Sequence, residues 1–460
     1  MEYRTAAQSS GSSRWGRARL THSANRPNAS ERGQTLLLVA ISLAVVVGMA
    51  ALAIDVTNLY LARSQAEKAA DAAALAGAKA FVRSSFTSGG LGSPLSEAAQ
   101  SQVCNGGSGL ADRQAVAEAN QNKIAGVQPG SVATSCNLAT PGNPRIAVTV
   151  TRDNLPTFFG RIFHREGELV RATSRAEAYN PAGQPLPISV GSVKPWLVSN
   201  CDATNAAPAN PNCPGSAYFL DPSRNYAVAN SGNFIGQRIT LQQILPGVVP
   251  LNLLNSYYML NMPISSASAF CPAESAPSCG PIDAGSPGYF ESVACANSVQ
   301  LTCGPSDAQG VSVSLLGGIL SPPNADRAVQ CLIHADDYGS NQGQDSFEFT
   351  GIGDPMTIDG GYNNPNPQLR SIDNISRSDS VVTVPIWDGN GACNPGVLCP
   401  PFKIVGFMQL GILRVRRPAL GILGSGRIDA RILNVAGCGS ASGTAISGGG
   451  GSPIPVRLVQ

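Results

Sequence analysis

Residues 31–55 read ERGQTLLLVAISLAVVVGMAALAID, and residues 59–78 read LYLARSQAEKAADAAALAGA. From Thr35 to Ile54 no residue carries a charge. At about 1.5 Å rise per residue, a helix of that length covers roughly 30 Å, the thickness of a bilayer's hydrocarbon core. Arg4, Arg14, Arg17, Arg19, Arg26 and Arg32 precede the run against Glu2 and Glu31, and Asp55 follows it. An arginine excess ahead of a first span holds that end in the cytoplasm, which predicts export of everything beyond it. No second window competes. Ile404–Val415 is too short, and Ile239–Met262 is broken by Pro246 and Pro250.

A retained anchor is favoured over two cleaved forms. Ala51-Leu52-Ala53 offers signal peptidase a small-x-small triplet, but the leader would be long and the helical pattern runs on past it. Prepilin-type cleavage follows a Gly that precedes an apolar segment with Glu at its fifth position. Gly33 is present, yet Leu38 stands where that Glu is needed.

Beyond Asp55, alanine, the strongest helix former, fills ten of the nineteen positions from Ala62 to Ala80 with no proline among them. The helix is expected to continue to about Val82. Ala62, Ala66, Ala69, Ala73, Ala76 and Ala80 recur at a 4-3-4-3-4 spacing, a seam of methyl groups that lets another element approach closely. Two uses are open: packing on the protein's own exported domain, or docking the helices of partner subunits.

The apolar span, Asp55 and the Ala-rich stalk together resemble the N-terminal region of TadG-like proteins of the Flp (tight-adherence, Tad) pilus-assembly systems. The matching residues are Arg32, Gly33, Asp55, Tyr60, Gln65, Ala70, Asp71, Ala72, Ala73, Ala74, Leu75 and Ala76. The resemblance extends to about residue 180 through a helix–strand–aromatic–strand series. Those elements are a helix at Ala111–Ala125 with Gly126 as its cap, a strand on Ile146, Val148 and Val150, a helix bearing Phe158, Phe159, Ile162 and Phe163 after Pro156, and the alternating ELVRATSRAEA. Residues 84–108 read as a Gly/Ser-rich loop, and Asn180-Pro181-Ala182-Gly183 as a closing turn. The resemblance implies a membrane-anchored structural or assembly component whose partners are the lipid bilayer and other Flp/Tad membrane proteins or pseudopilins. The rival is a cell-surface adhesin or binding module sharing the anchor alone. Some TadG-like proteins carry a metal-binding Asp-x-Ser-x-Ser motif; this chain lacks it, so metal-dependent adhesion is not implied.

From 184 onward the chain reads as loop-dominated, with strand-like islands at Ser380–Trp387, Phe402–Val415 and Arg427–Val435. Phe402–Val415 is apolar on both parities, the pattern of a central strand covered on both faces. PIPVRLVQ at the end alternates at Ile454, Val456 and Leu458. It reads as a last edge strand of that same sheet, with donation to a neighbouring subunit as the other possibility.

All twelve cysteines, Cys104, Cys136, Cys201, Cys213, Cys271, Cys279, Cys295, Cys303, Cys331, Cys393, Cys399 and Cys438, follow the anchor. An even count on the exported side fits a disulfide framework in an oxidising compartment. Their clustering suggests short loops 201–213, 271–279, 295–303 and 393–399, with 104–136 and 331–438 as longer staples. Zinc fits poorly, because no C-x₂-C pair exists.

A net charge of +2 gives no chain-wide case for nucleic acid, and 13% charged residues is low for a charge-solubilised cytosolic enzyme. No phosphate-binding glycine loop, H-E-x-x-H or G-x-S-x-G is present. His334-Ala335-Asp336-Asp337 reads as a solvated loop, and the calcium-like start at Asp388 meets Cys399 where a Glu is needed. The expectation is a non-enzymatic α+β protein without cofactor or metal. Its parts are a basic cytoplasmic tail (1–34), an inner-membrane span (35–54), a stalk (55–82), an exported α+β module (83–183) and a Cys/Gly/Pro-rich β domain (184–460) in the periplasm or outside the cell.

Overall fold

Residues 29–83, 97–138, 143–157, 159–160, 167–178, 188–206, 213, 215–229, 234–243, 256–262, 269–270, 287–297, 299–313, 325–336, 341–350, 356–389, 401–416, 427–438, 446–447 and 456–459 are described by a computed structural model of the protein. It is an α+β fold: a long apolar N-terminal helix followed by a β-rich region. The described residues fall into two compact units, Met1–Thr57 with Thr157–Arg165, and Asn58–Pro156 with Glu166–Gln460.

Helix α1 runs unbroken over Ala29–Arg83, as the proline-free, Ala-rich sequence dictates. Two shorter helices follow, α2 (Glu97–Val103) and α3 (Leu110–Gln121). Helix α2 lies within the stretch expected to be loop; its EAAQSQV sequence has no glycine or proline, and Val103 is fully buried. Helix α3 stops four residues short of Ala125. Asn122 turns extended, and Ala125 and Gly126, both at positive φ, make a tight turn that pairs Ile124 with Val127. Gly126 therefore serves a turn rather than a helix cap.

The strands used below are β1 (Ser131–Asn137), β2 (Arg145–Leu155), β3 (Glu168–Ala178), β4 (Trp196–Ser199), β5 (Arg238–Gln243) and β6 (Ser256–Asn261). The two larger sheets also contain β7 (Ser312–Val313), β8 (Val381–Trp387), β9 (Lys403–Arg416), β10 (Arg427–Gly437) and β11 (Val456–Val459), and further short strands pair in small sheets of their own. Strands β1-β2-β3-β11 form an antiparallel sheet. Ile146, Val148 and Val150 on β2 turn one face into a core shared with the stalk alanines and α3.

The second sheet follows the order β5-β10-β9-β8-β4-β6-β7, with Gly304–Pro305 paired to β9. Because β5 also pairs with β6 in parallel, six of its strands close into a ring. Closure removes the open edges that a free sheet would expose. Strand β9 is central, buried at nine consecutive residues, and lies between β8 and β10. Two expectations change here. Among the described residues, the three islands expected after 184 are β8, β9 and β10, and β4, β5, β6 and β7, from stretches expected to be loop, join them in this sheet. And β11 is an edge strand of the β1–β3 sheet, placing Leu458 opposite Ala176 on β3. The stalk core also takes in Val190, Leu197, Tyr258, Phe407 and Ala436, so packing is continuous across the boundary expected at 183/184.

Candidate functional site in the anchor and stalk helix

Every residue from Gln34 to Ala50 is exposed, including Leu36, Leu37, Leu38, Ile41, Leu43 and Met49. An apolar surface of this extent is unfavourable in water and suited to hydrocarbon. Among the described residues this is one helix long and apolar enough to cross a membrane. The first buried positions along it are Ala51 and Asp55. The Asp55 carboxylate accepts the backbone N–H groups of Phe159 at 3.0 Å and Gly160 at 2.8 Å. A buried carboxylate is tolerable only with such partners, so Asp55 fixes the end of the apolar run to the segment that begins at Thr157. The expected helix carrying Phe158, Ile162 and Phe163 lies outside the described residues.

From Ala62 the helix changes environment. Ala62, Ala66, Ala69, Ala73, Ala76 and Ala80 are all buried, none more than 3% exposed. Gly77, beside the seam, shows how close the packing is. A Cβ there would sit 2.7 Å from Ile146 Cδ1, 3.1 Å from the Ala111 carbonyl and 3.3 Å from Ala115 Cβ. The six seam alanines are thus buried within the chain's own core, with α3 and β2 closing in beside them at Gly77. Polar ties reinforce it. Gln65 Oε1 accepts the Ala125 N–H at 2.7 Å. At the helix's end Arg83 is buried and donates to the carbonyls of Ile375 (3.1 Å) and Ser376. Burial pulls the Arg83 guanidinium down to about 10, still charged at neutral pH. Lys79, one turn earlier, is lowered by burial and by the charges of Arg83 and Arg377, with Glu118 pulling the other way.

The cysteines form Cys104–Cys136, Cys201–Cys213 and Cys303–Cys438 disulfides. The last of these replaces both the 295–303 and the 331–438 pairings, and Cys295 and Cys331 are nevertheless disulfide-bonded. Proximity in sequence misled here, because Cys438 follows β10, one strand from the β9 edge on which Gly304–Pro305 pairs. Cys271, Cys279, Cys393 and Cys399 lie outside the described residues. Cys104, Cys136 and Asp112 cluster closely enough for a metal, but both sulfurs are consumed by the disulfide. Asp112 is engaged too, accepting from Asn105 N–H (3.0 Å), Gly109 N–H (3.1 Å) and the Thr134 hydroxyl (2.6 Å) at the start of α3.

His334 is not in a solvated loop. It is buried, with Nε2 2.9 Å from Asp379 Oδ2, and Asp336 accepts from the Asn363 amide (2.7 Å) and the Tyr362 hydroxyl. The loop is a clasp between distant segments, so polarity alone misjudged it. Sequence reading also gave no role to Gly77 or Arg83, and took Asp55 as the end of the span without its hydrogen bonds. For Gly77 the signal was available: it is a single glycine inside an alanine run, where only close approach favours it over alanine.

The sequence model of the family described as "Putative Flp pilus-assembly TadE/G-like" matches residues 33–80. No curated protein and no solved structure matches the chain. The matched segment begins at the apolar run, includes Asp55 and the whole alanine seam, and stops three residues before α1 ends. The anchor and stalk, residues 33–80, are therefore similar to the TadE/G-like family, whose description places it in Flp pilus assembly.

Proposed function

We propose that this protein is a single-pass inner-membrane component of a Flp pilus-assembly system, structural rather than catalytic in role. Its tail, 1–34, lies in the cytoplasm and the residues after the anchor in the periplasm or outside the cell. One observation carries the reading: the family match coincides with the single helix that is an exposed apolar rod at one end and buried in its own fold at the other. The arginines ahead of the span support the orientation, and disulfides at Cys104, Cys201 and Cys303 support an oxidising compartment beyond it. The same helix that carries the apolar run continues into the buried stalk, so the folded part is tethered to the membrane by its own chain. That holds the fold at the membrane where other Flp/Tad membrane proteins or pseudopilins gather. The test is an in-frame deletion in the native host, with filaments counted by electron microscopy before and after complementation. Loss of filaments restored by the gene is expected. Normal filaments would overturn the reading and leave an adhesin that shares only the anchor.

A further inference from the structure

The outer face of strands β5, β10 and β9 carries a concentration of guanidinium groups that assembly at the membrane does not require. In the strand register Arg238 stands opposite Arg431, and Arg427 stands opposite Arg416, while Arg414 and Thr240 flank Asp429. Ile239, Leu241, Ile428, Ala430 and Ile432 fill the core behind them, so the arginines share the other side. Like charges directly across a strand pair are destabilising. The two pairs concentrate positive charge on this patch, which an anion would offset.

The protein supplies only part of that negative charge. Asp429 Oδ2 accepts Nε–H from both Arg414 and Arg416 at 2.6 Å, and its Oδ1 accepts the Thr240 hydroxyl at 2.8 Å. Burial alone would raise the Asp429 carboxyl; these three hydrogen bonds overcome that and hold it below its ordinary value. Arg431 turns away, donating to the Gly236 carbonyl at 2.7 Å and lying over the Phe349 ring. Asp345 is already engaged by the Gly361 N–H and the Asn364 amide. Among the described residues Arg238 and Arg427 have no hydrogen-bond or ion-pair partner. Arg238, Thr240, Ser346, Arg414 and Arg416, together with the engaged carboxylates of Asp345 and Asp429, line a cavity of about 320 Å³.

We propose that this cavity binds a phosphate group, with Arg238 as its principal free donor and Arg414 and Arg416 contributing the N–H groups that Asp429 leaves unused. A guanidinium fork matches the oxygens of a phosphate, and a multiply charged oxyanion offsets opposed arginines better than a second carboxylate would. The phosphate is presented either by an anionic phospholipid headgroup or by a soluble phosphorylated ligand.

The experiment is calorimetric titration of inorganic phosphate into the full-length protein in neutral detergent at low salt. Chloride at matched ionic strength is the control. The wild type is expected to bind saturably with one site. Arg238→Gln, which removes an exposed side chain without a partner, is expected to weaken binding at least fivefold with an unchanged melting temperature. Repeating the titration in nanodiscs separates the sources. Phosphate affinity that falls when phosphatidylglycerol replaces phosphatidylcholine supports a lipid headgroup at the site, and unchanged affinity supports a soluble ligand. Absence of saturable binding, or equal affinity in Arg238→Gln, which would assign binding to the arginines of the N-terminal tail, overturns the proposal.

Discussion

At the level of single residues, Lys194 makes the sharpest demand on the fold. It is buried, its Nζ donates to the Cys295 carbonyl at 2.7 Å, and burial pushes its pKa down to about 7, with Asp379 pulling partly back. The unfolded chain keeps that proton up to the ordinary value of 10.5, whereas the folded protein releases it near 7. Between those values the unfolded state binds more protons, so stability rises with pH across this window. Lys194→Met lacks the rise. The stability of the wild type relative to this variant is expected to increase by on the order of a few kcal/mol from pH 7 to pH 10, by denaturant unfolding. Parallel pH profiles would contradict the assignment. Gly77 gives a second residue-scale prediction. Valine there must displace Ile146 and meets the Ala111 carbonyl, so Gly77→Val is expected to cost about 1–3 kcal/mol. A variant as stable as wild type would mean the stalk is not packed on α3 and β2.

Among the elements, the last strand is held by charge as well as by pairing. Glu177 on β3 is buried and accepts from Arg145 and Arg457, each at 2.8 Å. Burial alone would raise its carboxyl; the hydrogen bonds from Arg457 and Arg145 hold it below 4.5. That stabilisation is present above the ordinary value and is lost as pH falls through the folded one. Arg457→Ala is therefore expected to lower stability by about 1–2 kcal/mol at pH 7, with the deficit shrinking as pH falls below the ordinary carboxylate value and Glu177 takes up its proton. A deficit independent of pH would rule out the ion pair as its source. Alternation at Val456 and Leu458 made β11 legible as a strand, but its partner was not, because the Arg457–Glu177 pair joins residues 280 apart in sequence. The Cys104–Cys136 and Cys201–Cys213 loops were legible from spacing, whereas Cys303–Cys438, joining residues 135 apart, was missed for the same reason. Non-reducing digestion and mass spectrometry should yield a Cys303–Cys438 linked peptide; a Cys295–Cys303 peptide would contradict the fold around β9 and β10.

Over the whole molecule, what could be read from sequence was what local periodicity encodes. The uncharged run, the alanine seam, the β2 alternation and the doubly apolar β9 each sit within about twenty residues. The ring of strands was hidden, since β4 and β6 are short and buried on both sides, reading as WLVS and SYYMLN without alternation. The arginine face was hidden too, because β5 and β10 lie far apart in sequence and only their register brings Arg238 beside Arg431. If the folded part works only while α1 holds it to the membrane, releasing it from α1 abolishes its function. The most direct measurement is filament counting by electron microscopy in a deletion strain complemented with a chain whose residues 1–54 are replaced by a cleavable secretory signal. The released protein is expected to accumulate with its disulfides intact and to restore no filaments, while the full chain restores them. Filaments at wild-type number from the released form would contradict the account.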